Sequence, residues 1–350
     1  MRENQFLQKK EFFVLDALSC LRYDNSQNEC NKCIDMCDYN ALGIFKKRIT
    51  LYNDLCTNCA ECIGSCPTDA LSLESFDING FVLDFIQKEV NVIVDGIDVP
   101  TFGMFDAHHI VSLVLRKKEN IEFVTTTQTN EKIKSYIQEK VTIANRFLQE
   151  IEFSFNAKIN YIEKDIDSKK RGLLKNIFTI TKELKKDDGV SKNLKKTQKY
   201  TPPKLLMLKN SIKLISEELK KEEIPTIKGL IANKEIDFLS CTNCGECVHF
   251  CPTDALFRPT QNDTIMFTSG KCISCGICKM VCASDAISSP STINLIRFAY
   301  DQAEVLVQYE YHICKECKTA FAYKGIKDIC DRCDSYIDEF EDMFTMAKDI

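Results

Sequence analysis

The stretch CTNCAECIGSCPTDAL, at Cys56–Leu71, returns almost unchanged as CTNCGECVHFCPTDAL at Cys241–Leu256. Each copy carries the spacing C-x2-C-x2-C-x3-C. A third run, Cys272-x2-Cys275-x2-Cys278-x3-Cys282, keeps every gap but has Ala283 where the first two have Pro67 and Pro252. A fourth, Cys20-x9-Cys30-x2-Cys33-x3-Cys37, lengthens the first gap and puts Asp38 at the proline position. Sixteen of the 20 cysteines lie in these four runs. Three thiolates on one short loop can wrap one face of a metal centre, and a fourth must then arrive from elsewhere.

Cysteine at this density means either disulfides or metal ligation. Disulfide scaffolds are usually short and secreted, whereas this chain has 350 residues and metal-ligand spacing. A single large zinc array is the competing metal reading. Zinc sites show paired C-x2-C knuckles separated by longer gaps, which suits these runs poorly. The first residues, MRENQFLQKKEFFVLDAL, lack the pattern of a secretory signal. No apolar run reaches the roughly 18–20 residues of a membrane span. The expected setting is a reducing cytoplasm that keeps thiolates free for iron. The net charge of −5 leans against nucleic acid as the main partner. Phosphate-loop, dinucleotide and haem-attachment motifs are all missing, so neither nucleotide, flavin nor haem is expected.

Paired cysteine runs at both ends suggest duplication of one module. The expected division is 1–75 and 236–300 for the two modules, 76–165 for a small α/β domain, 166–235 for a Lys-rich linker with a helix, and 301–350 for a cysteine knuckle. The fold class is α+β. In the cysteine-free middle, Val90–Asp95 reads as a buried strand. Asp106–Lys118 reads as a helix with Asp106 as N-cap. Ile121–Thr125 reads as a strand, Asn130–Glu150 as an amphipathic helix and Lys158–Ile162 as a third strand. This order implies a layered α/β domain. His108 and His109 are expected to be ordinary helix residues. Lys185–Tyr200 reads as an exposed linker, Pro203–Lys221 as a helix, and Thr292–Tyr309 as helix-like.

The two modules resemble ferredoxin-type 4Fe–4S dicluster proteins, a family that includes polyferredoxins and the iron–sulfur subunits of molybdenum reductases and formate dehydrogenases. In such two-cluster folds the fourth cysteine of each motif serves the neighbouring cluster. Carried over residue by residue, the resemblance implies four sites. The first takes Cys20, Cys30, Cys33 and Cys66, and the second Cys56, Cys59, Cys62 and Cys37. The third takes Cys241, Cys244, Cys247 and Cys282, and the fourth Cys272, Cys275, Cys278 and Cys251. The long loop after Cys20 leaves a second reading open, in which the first site is lost or holds three irons. Gly245, Gly276 and Ala60 sit inside the loops, where small residues let backbone N–H groups approach sulfur. The middle segment also resembles a thioredoxin-like domain, but it has no C-x-x-C.

Cys314-x2-Cys317-x12-Cys330-x2-Cys333 is a different pattern. Four sulfurs in a tetrahedron mean zinc or iron. Zinc is expected, because the glycines and prolines that flank rubredoxin knuckles are missing; a rubredoxin-like iron is the alternative. Tyr311, Phe321, Tyr323 and Ile326 are expected to pack around this zinc-ribbon-like site. The resemblance implies a carrier of single electrons for a redox protein or enzyme complex of anaerobic respiration, such as a formate dehydrogenase. An assembly factor or iron–sulfur interaction scaffold for such a complex is the alternative. Stand-alone catalysis is not expected.

Overall fold

The computed structural model describes residues 13–24, 28–162, 201–259 and 263–340. The chain mixes helices and strands and divides into two compact units at Lys220/Lys221. The expected linker Lys185–Tyr200 lies outside the described residues.

The first unit begins with small elements: β1 (Phe13–Leu15), α1 (Leu21–Asp24), α2 (Lys32–Asp35), β2 (Leu42–Phe45), β3 (Arg48–Leu51), α3 (Glu61–Gly64) and β4 (Leu71–Leu73). Strands β1 and β4 pair antiparallel, Val14 opposite Ser72. The β2–β3 hairpin turns at Lys46 and Lys47, with φ of 48° and 66°. Two consecutive positive φ values match the twist of a two-residue hairpin loop.

The α/β part follows: α4 (Ile78–Ile86), β5 (Val92–Val94), α5 (Ala107–Lys117), β6 (Ile121–Thr126), α6 (Glu131–Glu150), β7 (Ala157–Ile162) and α7 (Pro203–Leu214). Strands β5, β6 and β7 form a parallel sheet in that order. The expected alternation of strand and helix is therefore present, with boundaries shifted by a residue or two. Asp106 caps α5 as expected, and Asn130 caps α6 by accepting the Lys132 N–H at 2.9 Å. Phe102, Phe105 and Phe123 are fully buried and meet edge to face at 5.3–6.0 Å. Edge-to-face packing aligns the positive ring edge with a negative face, adding to the burial of large apolar area.

The turn Phe102–Met104 lies against α3 and so brings the α/β layer up to the first unit's cysteine loops. Thr101 Oγ1 donates to the Cys59 carbonyl at 3.2 Å. A Cβ on Gly103 would collide with that carbonyl and stand 2.9 Å from the Glu61 nitrogen. On the facing side, a Cβ on Gly64 would meet the Phe105 carbonyl at 2.6 Å. The two backbones touch because both positions lack side chains.

The second unit comprises β8 (Glu223–Pro225), β9 (Glu235–Ile236), α8 (Glu246–His249), β10 (Leu256–Phe257), β11 (Thr264–Phe267), α9 (Ile277–Met280), β12 (Ile287–Ser288), β13 (Thr292–Asn294), α10 (Leu295–Ala299), β14 (Glu304–Gln308), β15 (Glu310–Ile313), β16 (Ala320–Tyr323) and α11 (Asp331–Phe340). Strands β10, β11 and β14 form one sheet; β12 pairs with β9, β13 with β8, and β15 with β16. The helix-like reading of Thr292–Tyr309 is corrected here. Asn294 caps a short α10, Asp301 turns the chain at φ 53°, and Val305 and Val307 lie in a strand along β11. Val305 is exposed and Val307 buried although residues two apart share a face of a regular strand, because the pairing register shifts between Ile265 and Met266.

Gly103→Ala is expected to destabilise the first unit by about 1–3 kcal/mol, the usual cost of overpacking a close contact. Denaturant unfolding of the purified variant measures it. An unchanged midpoint would mean that the Gly103–Cys59 contact contributes nothing.

Candidate metal centres

In the first unit, two groups of thiols gather. Burial pushes the Cys33 thiol up to about 12, and the thiols of Cys66, Cys30 and Cys20 press on it further. Burial raises Cys20 and Cys30 as well, and on both the neighbouring thiol of greatest effect is Cys66. Burial also holds Cys62 well above its ordinary value, with Cys59, Cys33, Cys56 and Cys37 adding to it. Cys37, Cys56, Cys59 and Cys62 line one cavity of about 110 Å³ together with Leu42, Ile49 and Leu51. Crowded, buried thiols resist losing their protons alone, and a metal that shares the charge removes that resistance.

The second unit repeats the arrangement. Burial raises Cys247 to about 12, followed by Cys241, Cys278, Cys244 and Cys282. Cys241, Cys244, Cys247 and Cys282 line one pocket with Ile236, Ile265 and Ile287. Burial lifts Cys272 to about 11 and Cys275 to about 12; Cys251 and Cys278 add to both, and Cys272 adds to Cys275. Four thiols around an apolar pocket suit a soft-metal or iron–sulfur group.

The backbone explains how so few residues turn so tightly. Asn58, Asn243 and Ser274, each just before the second cysteine of its run, have φ of 54–59°. Ala60, Gly245 and Gly276, each just after it, have φ of 58°, 82° and 79°. The small residues read from the sequence thus sit in left-handed turns that open α3, α8 and α9. Three positions past the last cysteine, Asn40, Asp69, Asp254 and Asp285 all have φ of 48–52°. Beyond three of these, an amide returns to sulfur. Ala70 donates to Cys66 Sγ at 3.3 Å, Leu256 to Cys251 Sγ at 3.4 Å and Ala286 to Cys282 Sγ at 3.3 Å.

The run at Cys20 departs most in its first half. Asn31 has φ −114°, outside the left-handed region. The nine-residue gap is bridged instead by Arg22, whose Nε donates to the Cys30 carbonyl at 2.7 Å and whose Nη2 reaches Asn31 Oδ1. Asn28 Oδ1 accepts the Cys30 N–H at 2.9 Å.

Two lysines of the α/β layer reach these loops, and sequence reading missed both. Lys132 Nζ lies 2.8 Å from the fully buried Glu61, 3.0 Å from Asp38, and donates to the Met36 carbonyl at 2.7 Å. Lys204 is 3% exposed; its Nζ lies 2.8 Å from Asp106 and 3.5 Å from Asp69. It donates to the carbonyls of Gly64 at 3.3 Å and Cys66 at 2.5 Å. Burial opposes both charges of the Lys204–Asp106 pair. Their mutual attraction nonetheless keeps the lysine above its ordinary value and the carboxylate well below its own. His109 is the capping residue the helix needs: Nδ1 accepts the Asp106 N–H at 3.0 Å and Nε2 lies 3.1 Å from Asn79 Oδ1. Burial pulls it down to about 4, so it stays neutral at pH 7.

At the C-terminal knuckle, the sulfurs of Cys314, Cys317, Cys330 and Cys333 all lie within 4.8 Å of one another. The Cys330 N–H donates to Cys314 Sγ at 3.3 Å, and Thr319 Oγ1 lies 2.9 Å from Cys317 Sγ. The contacts of Thr319 draw Cys317 down to about 6. This donor set can hold a metal. The expected apolar packing is corrected: Tyr311 and Ile326 are 46% and 69% exposed, because a lone hairpin and helix cannot enclose large side chains. His312 stacks on Tyr323 at 3.8 Å instead.

Gly276→Ala meets no atom within 4 Å, so its cost isolates the backbone: roughly 1–2 kcal/mol for a left-handed residue with a Cβ. Ala60→Gly is expected to change stability in the opposite direction. Unfolding midpoints of the two variants moving the same way would contradict the turn geometry.

Residues 233–286 match the family model of a 4Fe-4S dicluster domain, and residues 49–72 that of a 4Fe-4S binding domain. No curated protein matches the chain. Among the described residues, no helix is long and apolar enough to cross a membrane. The matched stretches hold three of the four cysteine runs, Cys56–Cys66, Cys241–Cys251 and Cys272–Cys282, and on these grounds the chain carries ferredoxin-type 4Fe–4S segments in both units.

Proposed function

We propose that the protein carries four 4Fe–4S clusters in crossed cysteine sets and passes single electrons between redox partners. Cys20, Cys30 and Cys33 would hold one cluster together with Cys66, and Cys56, Cys59 and Cys62 another with Cys37. In the second unit, Cys241, Cys244 and Cys247 would pair with Cys282, and Cys272, Cys275 and Cys278 with Cys251. The observation that supports this most is the set of thiols pressing on each loop, which includes the last cysteine of the other run in both units.

A bound 4Fe–4S cluster supplies a one-electron couple whose potential follows charge, hydrogen bonds to sulfur and exposure. The chain's own residues set those conditions. Leu42, Ile49 and Leu51 line the cage at Cys37 with apolar surface. The amides of Ala70, Leu256 and Ala286 direct their dipoles at sulfur and stabilise negative charge there. The knuckle fits a structural zinc, which is redox-silent and adds folding energy. The setting we infer is the cytoplasm of an anaerobically respiring cell, with a redox enzyme complex such as a molybdenum-dependent formate dehydrogenase as partner.

Protein purified without oxygen is expected to contain about 16 iron and as much sulfide per chain, and about one zinc. Little iron with several zincs would overturn the electron-carrier reading. Crossed ligation makes a sharper prediction. Cys37→Ala is expected to remove the same electron paramagnetic resonance component as Cys59→Ala, and Cys66→Ala the same component as Cys30→Ala. Loss of one component by both Cys37→Ala and Cys33→Ala would contradict it. Reduction followed by reoxidation with a one-electron acceptor is expected to be reversible; a protein that binds a client stably and never reoxidises would fit an assembly factor instead.

A further inference from the structure

Lys204 is separated from the cysteine loops by more than a hundred residues of sequence, yet its ammonium is among the most enclosed cations of the first unit. Pro202 and Pro203 start α7, and the Lys204 N–H donates to Asp69 Oδ2 at 3.1 Å, fixing the backbone beside the turn after Cys66. The side chain then continues inward. Its three N–H donors face Asp106, the Gly64 carbonyl and the Cys66 carbonyl, with Asp69 close by. Surface pairing does not require such a position. A lysine at the rim could pair with Asp69, whereas reaching the buried Asp106 takes the ammonium out of water, which is costly.

We propose that Lys204 sets the potential of the cluster held by Cys20, Cys30, Cys33 and Cys66 by keeping a fixed positive charge against the Cys66 carbonyl. This rests on the reading that those thiols hold a cluster. Reduction adds one electron, so a nearby cation favours the reduced state and raises the potential. In a water-poor interior that effect is much larger than at a surface. Asp69 and Asp106 offset part of the charge, and removing the lysine leaves two carboxylates facing the cluster loop uncompensated. The lysine at the other cage, Lys132, is a quarter exposed and pairs with Glu61 and Asp38, so its influence is screened more.

The test is a redox titration of the full chain with its clusters loaded, followed by electron paramagnetic resonance. The component that disappears in Cys30→Ala identifies the cluster in question. In Lys204→Gln that component is expected to become harder to reduce by a factor of ten or more, about 59 mV to the negative for a one-electron couple, while the other components stay in place. Lys204→Arg is expected to hold the wild-type midpoint. Asp106→Asn, which keeps the helix cap, is expected to move the same component to the positive. It provides the test if Lys204→Gln does not fold. A component unmoved in both Lys204→Gln and Asp106→Asn, with iron content intact, overturns the proposal and leaves the electron-carrier reading standing. Absence of any component lost in Cys30→Ala overturns the cluster assignment itself, and this role for Lys204 with it.

Discussion

In the proposed crossed ligation the fourth thiol of every cage belongs to the other cysteine run, and the architecture of both modules is consistent with that constraint. A loop of three cysteines closes within a handful of residues only if its backbone turns left-handed on both sides of the second cysteine, as at Asn58 and Ala60. The chain must then travel far enough to present its last cysteine to the neighbour and turn again at Asp69, Asp254 or Asp285. What is left between these turns is one helical turn and strands of two to four residues. Such elements bury little apolar surface, and small modules of this kind draw stability from the group they bind. Burial of the thiols adds to the requirement, because it raises their pKa values and makes the cages depend on a bound metal to stay deprotonated.

The first unit adds a second layer of control that the repeat does not need for closure. Its α/β part has a conventional core of Phe102, Phe105 and Phe123 and a parallel sheet, so it supplies rigidity that the cysteine loops lack. Rigidity is passed on by backbone contact, through Thr101 and Gly103 against Cys59 and through Gly64 against Phe105. Charge is passed on through Lys132 and Lys204, each directed at a carbonyl beside or on a cysteine. Holding cationic groups at fixed positions lets a fold tune a redox group without touching it.

Local patterns were legible in the sequence, and long-range ones were not. The spacing of the cysteines and the periodicity of Asn130–Glu150 reflect contacts a few residues apart, so they survive as motifs. The left-handed turns were not read from the sequence: Gly245, Gly276 and Ala60 stood out only as small residues beside sulfur, and Asn58, Asn243 and Ser274 did not stand out from ordinary loop residues. Thr292–Tyr309 misled because apolar residues spaced for a helix also satisfy a short helix followed by a bulged strand, and only the pairing with β11 decides. Lys204 and Lys132 carried no local signal at all. A lysine in a Lys-rich stretch reads as solvated, and its burial depends on Asp69, Asp106 and Cys66, which lie far away in sequence.

The proposed interlocked cages would hold the two clusters of a module close together, in keeping with the shared neighbourhood of Cys33 and Cys62. Unpaired spins at such separation interact magnetically. The most direct measurement is therefore the electron paramagnetic resonance spectrum during stepwise reduction of the intact protein. Crossed ligation predicts simple signals at partial reduction that give way to broadened, split features when both clusters of a module are reduced. A spectrum that remains the plain sum of isolated signals up to full reduction would contradict it.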